Sequence, residues 1–595
     1  MPWTPPASVE SVAIAPLDKG MRLDRPGQAL EDGAFVRLEN LIVNPYGLFK
    51  RPGYAQFAGG DTSPYTFEDV ITLWNSAGTR QTLLLTERVL YEVSSTGGFT
   101  EVTWGYSTGT ANIVGTAVIG SGTAWDTNDI MEGDIFRVGV EEAEILSVTD
   151  ATHLTLKTAS ITDGTGSYSI QRAFGSGFTD MNDTVEVDGC LLIADGKRPL
   201  MYYDPNTRAL DYWITAYPAT GTFVPGTVGV IGDRVWVGNV SDATDGHTRQ
   251  RLRWSTLANK QDFSFATAYL DLLYSIGTIR KLLPLGGYFV VYLDDAIYMG
   301  TPTSYPLAPI QFDKVETGGA GIPGNHCVCS YLNSHYFIGP DDIYTLSAEG
   351  ISRVGAPILR DSIRATQLLS YSYAVADQFN NSICFGIPGT TPAISNIWRM
   401  QLQTKGWSVD QDISTNMLAN PIINTSMTWL DLAGMDWTDL GALYPTWDDM
   451  HITETRRFLF LEANSALWRG SADSPTDLGA TAVSILAETK DHTFGDPDSL
   501  KVCTRLAIKI DWDTAPVAAI AILVEVSVNK GRVWKTAGTI TIPVGKDEGY
   551  VNFRSAGSTL RFRFSSSSSV APYYIAEYTM RVRLGGREVD VSTQA

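Results

Sequence analysis

The sequence predicts an all-β protein: an irregular β-propeller of six or seven blades with an N-terminal platform, a small inserted β-barrel and a C-terminal β-sandwich. Three observations predict it. One hairpin pattern recurs seven times, 55 glycines punctuate short runs of Val, Ile, Tyr, Phe and Trp, and helix-length amphipathic segments are nearly absent. The best helical stretch, Arg360–Leu369, is short.

The N-terminal platform takes residues 1–60, where Pro52 and Gly53 preset a tight turn that should present Lys50 and Arg51 to solvent. The propeller takes 61–103 and 173–425. Its unit is a turn, an alternating apolar strand, a polar turn, and a second strand ending in an aromatic. The unit starts at Thr79, Val187, Ile231, Leu285, Leu332, Phe379 and Arg456. With 104–172 set aside as an insertion, successive units mostly start about 40 to 55 residues apart, the repeat length of propeller blades. A small twisted sheet cannot bury both of its faces alone; radial stacking covers them and leaves only short edges. Successive β-sandwiches are the alternative arrangement of the same hairpins.

The insertion at 104–172 alternates strands of about five residues with Gly, Asn and Asp turns, which predicts a compact small β-domain for contact with a neighbour. Residues 426–479 hold a Trp-rich segment and the last hairpin. There Trp429, Trp437 and Trp447 each open a Trp-x-Asp phrase at spacings of eight and ten, too close for blades, and they read as serial anchors. From 480 to 595 the strands lengthen. Leu560, Phe562 and Phe564 alternate with Arg561 and Arg563, as a half-buried antiparallel strand requires, and Ser565–Ser569 reads as a loop.

At 595 residues the chain is long enough for two or three domains. No apolar run approaches the roughly 20 residues of a membrane-spanning helix, and the opening MPWTPPASVE lacks a secretory pattern. Five cysteines make no disulfide framework. Cys327 and Cys329, near His326 and His335, lack the paired spacing of a zinc site. A net charge of −21 argues against gripping nucleic acid through its phosphates, though not against letting DNA slide past.

The carboxylate pairs Asp294–Asp295, Asp341–Asp342 and Asp448–Asp449 sit in predicted turns, where Asp bonds locally, and adjacent strand residues point to opposite faces. Nucleophile-elbow, zincin and P-loop patterns are absent, so no catalytic residue, cofactor or metal is expected. Ser527–Trp534 (SVNKGRVW) resembles the Asp-box hairpin of sialidase propellers, with Asn529 for Asp and Val533 for Thr; in that family the box is architectural.

The stretch DKGMRLDRPGQALEDGAFVRLENLIVNPYGLFKRPGY resembles the opening of tail hub and nozzle proteins of short-tailed bacteriophages, the tail tubular protein B or packaged-DNA stabilisation family. The matching positions are Gly20, Asn40, Asn44, Gly47, Lys50, Arg51, Pro52 and Gly53. The Trp-Asp phrases, LRFRF and RVRLGGRE resemble that family's distal parts. The resemblance implies a non-enzymatic virion protein, made in the host cytoplasm and placed in the tail. It would form a sixfold ring below the adaptor, carry fibres or spikes, and let double-stranded DNA pass without specific binding. The alternative expectation is a tail propeller that binds or degrades polysaccharide.

Overall fold

A computed structural model describes residues 9–424 and 455–587. Outside it, besides the ends and 425–454, lie 23–24, 58–60, 95–97, 176, 178, 304, 306–307, 316–319, 356, 379, 412, 458, 471–473, 480, 496–498, 513–515 and 571. The regular structure of the described chain is nearly all β; its one α-helix among the described residues, Pro357–Ala365, starts three residues before the expected stretch and ends four before it.

Each recurring hairpin forms the middle of a four-stranded antiparallel sheet. The first sheet orders Phe67–Trp74, Arg80–Thr86, Leu90–Val93 and Phe99–Glu101. Five more follow in order, opening on Asp183–Val187, Phe223–Ile231, Ile279–Leu285, Val328–Tyr331 and Tyr373–Asp377. The seventh is composite: Leu418–Ala419, Phe460–Ala463 and Ala466–Gly470 are completed by Tyr54–Gln56 from the N-terminal segment. Both faces of these strands are apolar, so each sheet needs a neighbour on either side. Leu83 and Leu85 of the first sheet share a core with Ile193 and Met201 of the second, and Val228 of the third joins Leu192. Leu418, Phe460 and Leu461 of the seventh sheet pack with Phe67, Val70 and Leu84 of the first.

Residues 9–50, expected as a platform of their own, are instead strands of the sheets built from the C-terminal part. Ala34–Glu39 pairs with Ile485–Thr489, and Gly20–Met21 bridges it to the sixth sheet, giving one ten-stranded sheet from Tyr373–Asp377 to Lys535–Ile542. A second sheet joins Leu41–Asn44, Gly47–Lys50, Tyr574–Arg587, Ser499–Asp511 and Glu548–Gly557, with Val9–Ile14 along Tyr574–Arg587. The two sheets share one core, in which Leu506 and Ile508 meet Ile522, Val524, Phe562 and Phe564. Arg561, expected on a solvated face, is buried because Asp491 and Glu488 receive its guanidinium at 2.8 to 3.0 Å. The serine run is less of a loop than expected. Ser565 and Ser566 end the strand Arg561–Ser566, and Ser566 Oγ donates to the Ala521 carbonyl at 2.6 Å.

The insertion forms an eight-stranded sheet between Gly105 and Gln171, with its own core around the fully buried Trp125, whose Nε1 donates to Tyr168 Oη at 2.8 Å. It is fastened to the first two sheets. Arg198 and Lys197 both reach the buried Asp134 carboxylate, and Arg137 pairs with Glu101 at 2.8 Å.

Candidate functional site

Polar residues accumulate where the first strands of the sheets begin. Glu68 and Asp69 come from the first sheet, and Asn182 and Asp183 from the second. Thr227 and Lys281 belong to the third and fourth, Asn325 and His326 to the turn that enters the fifth, and Tyr373 to the sixth. They bond across sheets. Asn182 donates from its backbone N–H (3.1 Å) and Nδ2 (2.7 Å) to Glu68 Oε2, and Tyr373 Oη donates to the Glu68 carbonyl at 3.0 Å. Lys281 Nζ and Thr227 Oγ1 both donate to the Asp183 carboxylate, which also accepts the Val228 N–H at 3.1 Å. Asn325 Nδ2 donates to the Asn182 carbonyl at 2.8 Å.

Burial dominates the electrostatics. It pushes the Glu68 carboxyl up to about 8 against the two Asn182 hydrogen bonds, and the Asp69 carboxyl up to about 7 against the attraction of Lys281. The same effect pulls the His326 imidazole down to about 4, so it is neutral and its Nε2 donates to the Asn182 carbonyl at 3.3 Å.

Beside this cluster lies a cavity of about 270 Å³, lined by Glu68, Glu87, Arg88, Asn182, Tyr371 and Asn416 among others. A second, by Asp180, Arg280 and Asn325, has room for about one water, at 10 Å³. The arrangement ties six sheets to one another through polar side chains and leaves space for a small polar molecule at most.

The N-terminal residues singled out from the sequence lie at a different junction, and there the expectation for Lys50 and Arg51 is corrected. Both are almost fully buried, because the strand Gly47–Lys50 is covered by Tyr574–Arg587 and the following turn by residues 474–478. Lys50 Nζ donates to the carbonyls of Ser568 (2.8 Å) and Val570 (3.1 Å), and burial pulls its ammonium down to about 8. Arg51 makes a two-pronged pair with Asp477 at 2.8 and 2.6 Å. Its Nε donates to Asn40 Oδ1 at 3.0 Å, and Asp410 lies 3.9 Å away. Asn40 in turn donates to the Ser484 carbonyl at 2.7 Å and accepts the Gln411 N–H at 2.9 Å, while Asp410 pairs with Arg399 at 3.0 Å.

Asn44 closes the turn to Gly47 by accepting the Tyr46 N–H at 3.1 Å. Gly47, at φ +137°, approaches the Ile575 carbonyl so closely that a Cβ would stand 2.4 Å from its oxygen; at Gly53 the Thr476 oxygen would be 2.0 Å away. Pro52 presents its carbonyl to Arg51 Nη1 at 3.2 Å. Trp429, Trp437 and Trp447, with Asp448 and Asp449, lie outside the described residues.

The described carboxylate pairs, expected to bond locally in their turns, also reach beyond them. Asp294 accepts the Thr278 N–H at 2.9 Å and Asp295 the Ile276 N–H at 3.2 Å. Asp342 goes further: it is fully buried and accepts Arg360 Nε from the helix at 2.8 Å. No group of three or more potential metal ligands occurs among the described residues.

The Asp-box-like segment is a hairpin turn, as its likeness suggested. Asn529 Oδ1 accepts the Val533 N–H at 2.9 Å and the Ser527 hydroxyl at 2.8 Å, with Lys530 at φ +62°. Asn529→Ala is expected to lower stability by about 1 kcal/mol, measured by urea denaturation, because the loop loses its main acceptor.

The residues of this polar cluster were not singled out because the repeating pattern is a two-strand hairpin and they precede it. A signal was present: FEDV and IRKLL each place charge inside an otherwise apolar strand, and MNDT places Asn and Asp at the start of one.

No protein-family model matches this sequence, and no curated protein matches it. Among solved structures, the chain is similar to the computationally designed Ika8 protein, at 7% identity and a TM-score of 0.34 over 70% of this chain and 98% of that one. It is similar also to the extracellular domain of a putative hybrid two-component system of B. thetaiotaomicron (10% identity, TM-score 0.26, 76% of this chain and 52% of that one). A third likeness is to Kluyvelomyces marxianus Hsv2 (7% identity, TM-score 0.23, 59% and 98%). At TM-scores below 0.5 these likenesses carry nothing about function.

Proposed function

We propose that this chain is a structural protein of a short-tailed bacteriophage virion, the nozzle of its tail, and that its seven sheets are the blades of a β-propeller closed by Tyr54–Gln56. The observation that carries this reading is the place of the opening stretch. Asn40, Arg51 and Gly53, three positions on which the family resemblance rests, are committed to one buried junction, and Gly47 to a close contact with Ile575, so the shared residues mark a shared way of building the molecule. A resemblance spread over solvated turns would carry less.

The filled axis adds a constraint. Cavities of about 270 and 10 Å³ beside a hydrogen-bonded cluster give no passage to a double helix, whose major groove alone is about 12 Å wide. DNA would therefore run between copies, through the centre of a ring, sixfold as in the family it resembles. The adaptor would sit above that ring, and fibres or spikes on its outside. The channel's role is to retain the genome and then release it, and no step in that role requires a catalytic group.

Light scattering and negative-stain microscopy of the purified chain, alone and with the portal and adaptor complex of the same phage, test this. A closed ring with an axial channel is the expected result. A chain that stays monomeric and ignores the complex would overturn the reading and redirect attention to glycan binding.

A further inference from the structure

Charge is divided unevenly between two modules. Residues 499–587 hold 13 Lys and Arg against 6 Asp and Glu, although the chain as a whole is at −21. The insertion at 104–172 holds 9 Asp and Glu against 3 Lys and Arg.

The cations of the C-terminal module are not scattered. On the sheet that contains Ser499–Asp511, Arg505 stands directly opposite Arg581 on one neighbouring strand and Asn552 on the other. Arg583 lies two residues beyond Arg581, and Arg554 two beyond Asn552, so alternation places all four arginines on the outward face. Arg554, Arg581 and Arg583 are exposed, and Arg505 lies half-buried over the Tyr550 ring at 3.6 Å. None of the four forms an ion pair among the described residues, whereas the buried Arg561 and half-buried Arg563 of the facing sheet are both paired with carboxylates.

Like charges directly opposite each other on paired strands destabilise a sheet. A row of unpaired arginines is thus a cost to the isolated chain, and an acidic partner would remove it.

We infer that this arginine face docks on the acidic insertion of a second copy of the chain. Charge complementarity identifies the occupant: the insertion exposes Asp126, Glu132, Glu142, Asp150 and Asp163, together with the apolar side chain of Val140. The two modules hang from different parts of the molecule. The insertion is fastened to the first and second sheets, while the arginine face belongs to the module continuous with the sixth. A patch and its complement in different places make a head-to-tail contact, which closes into a ring or runs on as a filament. The inference rests on the ring reading and adds which surfaces meet.

Sedimentation of the full chain as a function of NaCl, with three variants, tests it. R505Q/R581Q/R583Q is expected to melt no lower than the parent, since repulsion is relieved, yet to self-associate at least tenfold more weakly. D126K/E132K, at two acids with no bonded partner among the described residues, is expected to show the same loss. Combining R505E/R581E with D126K/E132K in one chain is expected to restore association. Association of the parent that is indifferent to salt and to the variants overturns the inference. So does binding of duplex DNA by the parent that the arginine variant abolishes while self-association is unchanged, which would assign the row to nucleic acid. If rings form on the connector with unchanged affinity in both variants, the nozzle reading stands and this contact falls; if the parent forms none, the nozzle reading itself falls.

Discussion

Replacing Arg51 by methionine is expected to cost about 3–5 kcal/mol of stability, the penalty for removing one partner of a buried ion pair. The magnitude follows from what is left behind. Asp477 loses both of its bonds to the guanidinium, Asp410 loses its second cation, and Asn40 Oδ1 keeps only the Gln411 N–H. Guanidinium chloride denaturation of the parent, R51M and R51M/D477L measures it. The double variant is expected to recover much of the loss, because an apolar pair of similar volume replaces the ion pair with no charge stranded. A single variant within about 1 kcal/mol of the parent would show that the junction relaxes to admit water.

The second large effect is on pH dependence. The folded Glu68 carboxyl titrates at about 8 and an unfolded glutamate near 4.5. Its contribution is therefore fully present below pH 4.5 and is lost as pH rises through 8, where ionisation must take place in a buried site. Asp69, raised to about 7, acts in the same direction. The buried histidines act oppositely. His326 and His335 titrate at about 4 and His492 at about 3, so acidification below pH 6.5 favours the unfolded chain. Glu68→Gln isolates the first effect: between pH 5 and 8 the parent is expected to lose on the order of a few kcal/mol more stability than the variant. Parallel curves would place the Glu68 carboxyl in contact with water.

Much of the architecture was legible from periodicity alone. The turn and the alternating strands of each hairpin obey local chemistry, so Leu285–Gly300 and Leu332–Ser347 could be placed without knowing their neighbours. What was illegible depended on partners far along the chain. Lys50 and Arg51 follow an apolar strand and precede Pro-Gly, a local setting that reads as an exposed turn; their burial is decided by Asp477 and by the carbonyls at 568 and 570, more than 400 residues away. Likewise the side-chain bonds of Glu68 are decided by Asn182, 114 residues on.

The ten-stranded sheet that passes from Tyr373–Asp377 through Gly20–Met21 and Ala34–Glu39 to Lys535–Ile542 has a mechanical consequence. Its narrowest section lies in the middle, where Met21 opposite Trp407 and Glu39 opposite Val409 are the register pairs that hold Trp407–Asp410 to the N-terminal strands. A pull between the sixth sheet and the C-terminal module is therefore concentrated on those two pairs, and the sheet parts there before its long ladders give way.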